Sequence, residues 1–323
     1  MKITILGAGA YALALATMIK ENNHEITIWT KLKNELEELE TYHTNNRALP
    51  NYVMPDDIKY TMDLEKAVSD SDLIIFAVPT DFVDDVAKDL SNYYTHQHIC
   101  IASKGIEQDT CLFADSVVKK YIKTDKLAVI SGPSFASDII KKVPIGLSLA
   151  TENNETASVV VSALQNKYLK LRITDDIIGI EICGSIKNII AIAAGIIAGM
   201  GLPESTQAMF ITESLHDIKE LIKALGGNKT TILSFAGFGD LLLTATSIKS
   251  RNFRFGKMIG EKQPTNIIMD YKNNTTIEGL YTLKSVHKLL HDKQVDIPII
   301  DLIHDIIFNG KDPEEIKDFL INK

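Results

Sequence analysis

The stretch EICGSIKNII, residues 181–190, places Lys187 and Asn188 inside an isoleucine-rich run. A solvated helix face would usually carry several charges, whereas this run carries very few. A lysine that is partly removed from water has a lowered pKa, so it can exchange a proton near neutrality. This pattern predicts a general acid/base at Lys187. The structural alternative is a lone surface lysine on a packing helix.

The strip of the predicted helix that carries this lysine is otherwise formed by small residues, with isoleucines on the opposite side. Besides Asn188, its members are Gly184, Ala191 and Gly195. Small residues allow the close approach of a second backbone or of a ligand. We therefore expect this side of the helix to meet another chain segment or a substrate.

A glycine-rich turn, GAGAYALALA at residues 7–16, directly follows a β-branched run. Gly7 and Gly9 suit a tight turn that brings the backbone close to a pyrophosphate, with the next helix N-terminus facing the anion. Ala12 takes the third fingerprint position, where close packing of helix on strand is the main requirement. The pattern predicts a dinucleotide site, and the alternative is a glycine turn that serves another ligand in the same fold.

The second predicted strand ends in WTKLK, with Lys31 and Lys33 where an NAD-binding protein usually has Asp or Glu. The missing carboxylate removes the usual partner of the ribose 2′-hydroxyl, and a cation there could contact a 2′-phosphate. We therefore expect NADPH to work at least as well as NADH. The alternative is that both residues are solvated lysines at a helix start.

Further polar clusters lie within apolar stretches of the sequence. Lys104, in SKGIE, follows a strand at the edge where open α/β sheets bind ligands. Asp240 and Thr244 lie one helical turn apart in FAGFGDLLLTATS. The remaining clusters are SGPSFAS at 131–137 and SRN at 250–252. Capping or turn chemistry is the alternative for each.

The elements that must position these residues follow from the apolar pattern. Short Ile/Val-rich runs separated by helical segments predict a doubly wound, mostly parallel Rossmann-like sheet, in an α/β fold. The predicted strands are 2–7, 25–30, 72–78, 98–103, 127–132, 145–150 and 169–174. An all-helical C-terminal domain follows, with helices at 178–200, 205–226 and 278–291. We expect a dinucleotide-binding domain at 1–176 and a helical substrate-binding domain at 177–323.

Composition restricts the class of function. The net charge of −8 argues against a nucleic-acid surface, and three cysteines without a C-x-x-C pair suggest buried thiols in a reducing compartment. The histidine spacing predicts no metal site. No signal peptide is expected, and the apolar run Ile189–Leu202 is shorter than the roughly 20 residues of a membrane span. These features predict a cytoplasmic protein.

Taken together, the motifs make the chain resemble NAD(P)-dependent glycerol-3-phosphate dehydrogenase. They occur in the same order as in that family and extend over almost the whole chain. They are GAGAYALALA, AVPT (77–80), SKGIE, GPSFA (132–136), EICGSIKN, GFGDLLLT, SRN, IEGLYT (277–282) and IPI (297–299). The resemblance implies interconversion of dihydroxyacetone phosphate and sn-glycerol 3-phosphate with NADH or NADPH, which supplies a phospholipid precursor. The implied partner is a small phosphorylated substrate. A homodimer is one option that the sequence leaves open.

The resemblance also implies roles for matching residues. Lys187 would protonate the alkoxide, Lys104 would help to lower the pKa of that lysine by like-charge repulsion, and Asp240 would orient it. The expected substrate residues are Lys104, Gly132, Ser134, Lys187, Asn188, Asp240, Thr244, Ser250, Arg251 and Asn252. The expected cofactor residues are Gly7, Gly9, Ala10, Tyr11, Ala12, Lys31, Pro79, Lys104, Ala136, Arg251 and Glu278.

Some positions depart from the family pattern. The segment after the lysine helix commonly ends in G-D-N-T, but here it reads LPEST (202–206), and Glu213 stands where an arginine is common. Two rival hypotheses therefore stay open. One is a 3-hydroxyacid dehydrogenase of similar build, although its relatives typically separate the lysine from the asparagine. The other is a dinucleotide-binding sensor that no longer turns over.

Overall fold

The computed structural model describes residues 1–322, and the chain folds as two compact units. The first comprises Met1–Lys104 and Ala114–Ile177, and the second comprises Gly105–Phe113 and the chain from Ile178 onward. Residues 105–113 therefore group with the second unit, although they precede the expected division between residues 176 and 177. That division into functional domains stays a prediction.

The first unit is built on an eight-stranded sheet in the order β3-β2-β1-β4-β5-β6-β7-β8. Its strands are β1 (Lys2–Leu6), β2 (Glu25–Trp29), β3 (Lys59–Thr61), β4 (Leu73–Phe76), β5 (His98–Ile101), β6 (Leu127–Ser131), β7 (Ile145–Ala150) and β8 (Leu169–Thr174). The neighbouring pairs are parallel, apart from β6 with β7, which is antiparallel. The expected doubly wound, mostly parallel sheet is confirmed.

Helices connect these strands and cover the sheet. They are α1 (Ala10–Lys20), α2 (Lys33–Tyr42), α3 (Leu64–Val68), α4 (Val83–Leu90), α5 (Ala114–Tyr121), α6 (Ala136–Ile139) and α7 (Asn154–Leu164). Strands β4, β5 and β6 are buried at every position, because both faces of the sheet are covered. This burial explains why these strands have continuous apolar sequences rather than alternating ones.

The second unit is helical, and no strand follows β8 between residues 175 and 322. Its helices are α8 (Ile177–Gly199), α9 (Glu204–Ala224), α10 (Asp240–Thr246), α11 (Arg251–Gly260), α12 (Thr265–Asn274), α13 (Glu278–Lys293), α14 (Pro298–Phe308) and α15 (Glu315–Asn322). Helix α8, with 23 residues, is long and apolar enough to cross a membrane, but 89% of its most apolar window is buried inside the protein. It has the burial of a core helix.

Helices α8 and α11 pack backbone against backbone through glycines. A Cβ atom on Gly195 would lie 2.1 Å from the Phe253 carbonyl oxygen, and one on Gly256 would lie 1.8 Å from the Ile192 oxygen. Either contact is far shorter than van der Waals distance, so a side chain would force the helices apart. The small-residue strip around Gly195 therefore meets another backbone, which was one of the two predicted occupants.

The cysteines also behave as predicted. Cys100, Cys111 and Cys183 are buried, and none of the three forms a disulfide within residues 1–322. Burial raises the pKa of the Cys100 thiol, because the charged thiolate is disfavoured away from water.

Candidate active site

Lys187 projects from the middle of α8 into a buried polar cluster of the second unit. Its ammonium Nζ donates to Asp240 Oδ1 at 2.7 Å and to Thr244 Oγ1 at 3.3 Å. Lys187 is 8% exposed and Asp240 only 1%. The alternative of a lone surface lysine is therefore wrong, because this side chain ends at a buried carboxylate.

Lys187 and Asp240 bring a basic and an acidic side chain together in a buried setting. A carboxylate in contact stabilises the ammonium form of Lys187, an effect opposite to that of burial. Thr244 donates its own hydroxyl hydrogen to the Asp240 carbonyl oxygen at 2.6 Å, so that its lone pair is left to accept from the lysine. Lys187 is thus a hydrogen-bond donor whose direction is set by two residues of α10.

An unusual turn places Asp240 at the start of α10. Residues Phe235–Gly239 form a π-type turn, capped where Ser234 Oγ accepts from the Gly237 backbone N–H at 3.1 Å. A Cβ atom on Gly237 would lie 2.2 Å from the Ile232 carbonyl oxygen. The glycine at position 237 is therefore required by close backbone packing, a feature that the sequence analysis missed.

A chain of amide hydrogen bonds joins α8, α11 and α13 next to the lysine. Asn252 Nδ2 donates to Asn188 Oδ1 at 3.0 Å, and the Gly279 backbone N–H donates to Asn252 Oδ1 at 2.9 Å. Asn188 Nδ2 in turn donates to Glu278 Oε2 at 3.1 Å. Because such buried networks are costly when broken, they hold three helices in one register.

Arg251 lies at the first position of α11, which Ser250 caps by accepting from the Phe253 backbone N–H at 3.2 Å. Its guanidinium lies 3.4 Å from Glu278 Oε1, while 47% of the side chain stays exposed. Tyr271 donates its hydroxyl to the Arg251 carbonyl oxygen at 3.2 Å. The forked N–H groups of this arginine are therefore held near the amide chain and accessible to an anion.

The glycine turn of the first unit has the geometry that a dinucleotide pyrophosphate requires. Gly7 has φ +116°, and a Cβ atom on it would lie 2.9 Å from the Ala77 carbonyl oxygen. Among the described residues, Gly9 caps α1 without a side-chain hydrogen bond, and a Cβ atom there would meet nothing within 4 Å. Open space therefore lies beside Gly9 at the N-terminus of α1, which begins with Ala10, so the residues of this turn fit such a cofactor.

Other predicted residues of the first unit form a closed ring of contacts. Lys104 Nζ lies 3.4 Å from the Gly132 carbonyl oxygen and 5.7 Å from the centre of the Tyr11 ring. The Tyr11 hydroxyl lies 3.2 Å from Ser134 Oγ, which itself donates to the Gly132 oxygen at 3.2 Å. The predicted cofactor and substrate positions of this unit are therefore neighbours. Ala136 begins α6 and Pro79 precedes the short turn Thr80–Phe82.

The lysines after β2 have acidic partners that the sequence analysis missed. Lys31 Nζ lies 3.0 Å from Asp89 Oδ2, and Lys33 Nζ lies 3.5 Å from Glu37 Oε1. Lys33 is the first residue of α2 and is exposed, so the alternative of a solvated helix-start lysine describes it. Asp89 lies on α4, far along the chain, and no local sequence signal indicates the Lys31 contact.

Comparison with known proteins identifies the family. Residues 2–157 match the model for the N-terminus of NAD-dependent glycerol-3-phosphate dehydrogenase, and residues 176–318 match the model for its C-terminus. The chain belongs to the NAD-dependent glycerol-3-phosphate dehydrogenase family. The resemblance seen in the motifs is confirmed, and the family differs from that of the rival 3-hydroxyacid dehydrogenase.

Curated relatives and a solved structure agree with this family over the full chain. Glycerol-3-phosphate dehydrogenase [NAD(P)+] of Listeria monocytogenes serotype 4b (strain CLIP80459) is 34% identical and matches over 100% of this chain and 96% of its own length. The enzyme of that name from Thermoanaerobacter sp. (strain X514) is 36% identical and matches over 98% of this chain and 95% of its own length. The crystal structure of glycerol-3-phosphate dehydrogenase from Coxiella burnetii superposes with a TM-score of 0.93 at 31% identity, covering 100% of this chain and 99% of that one.

Proposed function

We propose that this protein catalyses the reversible reduction of dihydroxyacetone phosphate to sn-glycerol 3-phosphate with NADPH or NADH, and so supplies glycerophospholipid synthesis. The observation that carries the proposal is the buried contact of Lys187 with Asp240 in a chain of this family. A buried ammonium held by a carboxylate is suited to donate one proton in a fixed direction.

The proton side of the reaction is assigned to residues of the second unit. Bound NAD(P)H supplies the hydride that reduces the C2 carbonyl. Lys187 donates the proton that the new alkoxide oxygen needs, so hydride and proton together account for the two hydrogens gained. Asp240 and Thr244 keep the ammonium aimed and stabilise its charge. In the oxidation direction the neutral lysine accepts the proton again.

The proposed substrate residues divide by chemistry. Arg251 offers a forked, exposed guanidinium that matches a phosphate, and Ser250 fixes the helix start that carries it. Asn188 and Asn252 supply amide groups beside Lys187. In the first unit, the substrate set comprises Lys104, Gly132 and Ser134, which contact one another.

The proposed cofactor residues begin with the glycine turn. Gly7 and Gly9 have no side chains that would fill the space beside the turn, and the Ala10 backbone N–H lies at the start of α1. The rest of the proposed set is Tyr11, Ala12, Lys31, Pro79, Lys104, Ala136, Arg251 and Glu278. We assign a dinucleotide-binding domain to residues 1–176 and a substrate-binding domain to residues 177–323, although each also supplies some residues to the other's proposed set. The proposed enzyme is cytoplasmic, and a homodimer is its proposed assembly.

Oxidation of NADPH and NADH tests this function with a set of acceptors. Dihydroxyacetone phosphate should support turnover, whereas 3-keto acids should not, and Lys187→Met should abolish the rate. Turnover with 3-keto acids alone would support the rival dehydrogenase. Tight NADPH binding without turnover on either substrate would support the sensor. The sensor outcome is worth testing because this chain has LPEST (202–206) where the family commonly has G-D-N-T. Ser205 of that segment lies in the first turn of α9.

A further inference from the structure

The end of β2 carries a charge pair that bears on cofactor choice. We propose that Asp89 is a specificity-determining residue: by pairing with Lys31 it limits the preference for the 2′-phosphorylated cofactor, NADPH. The proposal rests on the proposed function, which makes NAD(P)H the cofactor. It concerns two residues of the first unit and the aromatic side chain beside them.

Contacts on two sides hold the Lys31 ammonium. Its Nζ lies 3.0 Å from Asp89 Oδ2 and 5.9 Å from the centre of the Trp29 ring. The indole is itself fixed, because it is buried and its Nε1 donates to the Met62 carbonyl oxygen at 3.0 Å. Both charged side chains are about half exposed, at 53% for Lys31 and 51% for Asp89, so a ligand can reach them.

The segment after β2 contains a second carboxylate, that of Glu35. Thr30 Oγ1 donates to Glu35 Oε2 at 2.7 Å and accepts the Leu32 backbone N–H at 3.2 Å. The Glu35 carboxylate is therefore bound by the side chain of Thr30, the residue before Lys31, while Lys31 itself pairs with Asp89 on α4. The charge of Lys31, which would attract a 2′-phosphate if the lysine stood alone, is offset by the charge of Asp89.

NADPH and NADH differ in how they would interact with the Lys31–Asp89 pair. A 2′-phosphate carries close to two negative charges, so it must either separate Lys31 from Asp89 or lie beside a like charge. A 2′-hydroxyl carries no charge, so that carboxylate does not repel it. Asp89 therefore lowers the gain that Lys31 would give to NADPH, while NADH meets no such repulsion. Since the pair is partly exposed, salt should weaken the effect.

Asp89→Asn tests the proposal, because it removes the charge and keeps the shape. At low ionic strength, we expect the ratio of kcat/KM for NADPH to that for NADH to rise on the order of fivefold to tenfold, as for one partly exposed charge. Asp85→Asn is the matched control, since this exposed carboxylate lies one turn earlier on α4. It should change the ratio by less than about twofold.

The same substitution in a Lys31→Met background shows whether Asp89 acts through Lys31. There the ratio should rise much less with Asp89→Asn, because no cation is left to release and only the direct repulsion by the carboxylate is removed. An unchanged ratio in the single variant would overturn the proposal. So would an equal rise in the Lys31→Met background or with Asp85→Asn.

A binding measurement without turnover separates this proposal from the proposed function. Calorimetry with adenosine 2′,5′-bisphosphate and with AMP compares the two ribose ends, and Trp29, the chain's one tryptophan, gives an independent fluorescence signal. Asp89→Asn should tighten the bisphosphate on the order of fivefold and leave AMP unchanged. Equal affinities in wild type and variant would refute the role of Asp89. Failure of dihydroxyacetone phosphate as a substrate would instead refute the proposed function. The affinities of the two adenosine nucleotides could still be compared in that case.

Discussion

Lys187 Nζ and Asp240 Oδ1 lie 2.7 Å apart, and both side chains are buried. The two residues come from different helices, α8 and α10, so their contact depends on how those helices pack. Removing one partner of a buried pair leaves an uncompensated charge, which costs roughly 3–5 kcal/mol. Any test of catalysis at this pair must therefore separate lost chemistry from lost stability.

Lys187→Met should lower kcat at least about a hundredfold, the usual weight of general acid/base help. Lys187→Met/Asp240→Asn is the control, because the neutral amide removes the stranded charge. It should recover much of the melting temperature that the single variant loses, but none of the rate. Near wild-type kcat in either variant, measured with saturating NADPH, would remove this lysine from the mechanism.

Arg251→Ala should impair the use of dihydroxyacetone phosphate far more than that of unphosphorylated dihydroxyacetone. A lost charge-assisted contact of about 2 kcal/mol lowers kcat/KM roughly thirtyfold. Arg254→Ala is the matched control: the residue is exposed on the same helix, and its guanidinium lies 5.6 Å from the Tyr271 ring centre. Equal losses on both substrates would mean that Arg251 does not bind the phosphate.

Gly256→Ala should destabilise the second unit, because the new methyl group would collide with the Ile192 carbonyl oxygen. Overpacking of this kind costs about 1–3 kcal/mol, and here the obstacle is backbone, which yields little. Lys257→Ala, at the adjacent position of α11, should change stability by less than about 0.5 kcal/mol. Denaturant unfolding measures both, and a stable Gly256→Ala protein would show that the two helices can separate at no cost.

Tyr11→Leu should raise the KM for dihydroxyacetone phosphate several-fold, on the order of fivefold, because Lys104 loses the aromatic face that holds it. Tyr11→Phe keeps the ring and loses only the contact with Ser134, so its KM should stay within about twofold of wild type. The KM for NADPH, measured alongside, reports any separate effect on the cofactor. Loss of that affinity alone in Tyr11→Leu would assign Tyr11 to cofactor binding only.

Much of the fold was predictable because it depends on local sequence. The Ile/Val runs at β1, β4 and β5 predict buried parallel strands directly. Strand β3 was missed, since Lys59–Thr61 is a three-residue edge strand in which no apolar alternation can develop. Its pairing with β2 depends on the sheet rather than on its own residues.

The site was predictable in its residue types but not in its contacts. Lys187 stands out because a charge in an isoleucine-rich helix needs a partner, and the structure supplies one. The chain from Asn188 through Asn252 to Gly279 was not predictable. It needs glycines to bring α8 and α11 together before short amide side chains can reach across. The same holds for Lys31 and Asp89, which only tertiary packing brings together.

His98 gives a prediction for the pH dependence of stability. It begins β5, is buried, and its Nδ1 lies 2.9 Å from Thr156 Oγ1. Burial, helped by Lys126 and opposed by Glu155, lowers the pKa of His98 in the folded state. The unfolded chain therefore binds the extra proton first, so stability should fall as pH drops below about 6.5, the unfolded value.

His98→Gln should flatten this loss, because a side chain that does not titrate removes the difference in proton binding. His291→Gln is the control, since the His291 side chain is 88% exposed. The free energy of unfolding, measured between about pH 5 and pH 8, should show a shallower slope for His98→Gln than for wild type. The slope for His291→Gln should match wild type. Parallel slopes for all three proteins would show that His98 contributes nothing to the acid sensitivity of the fold.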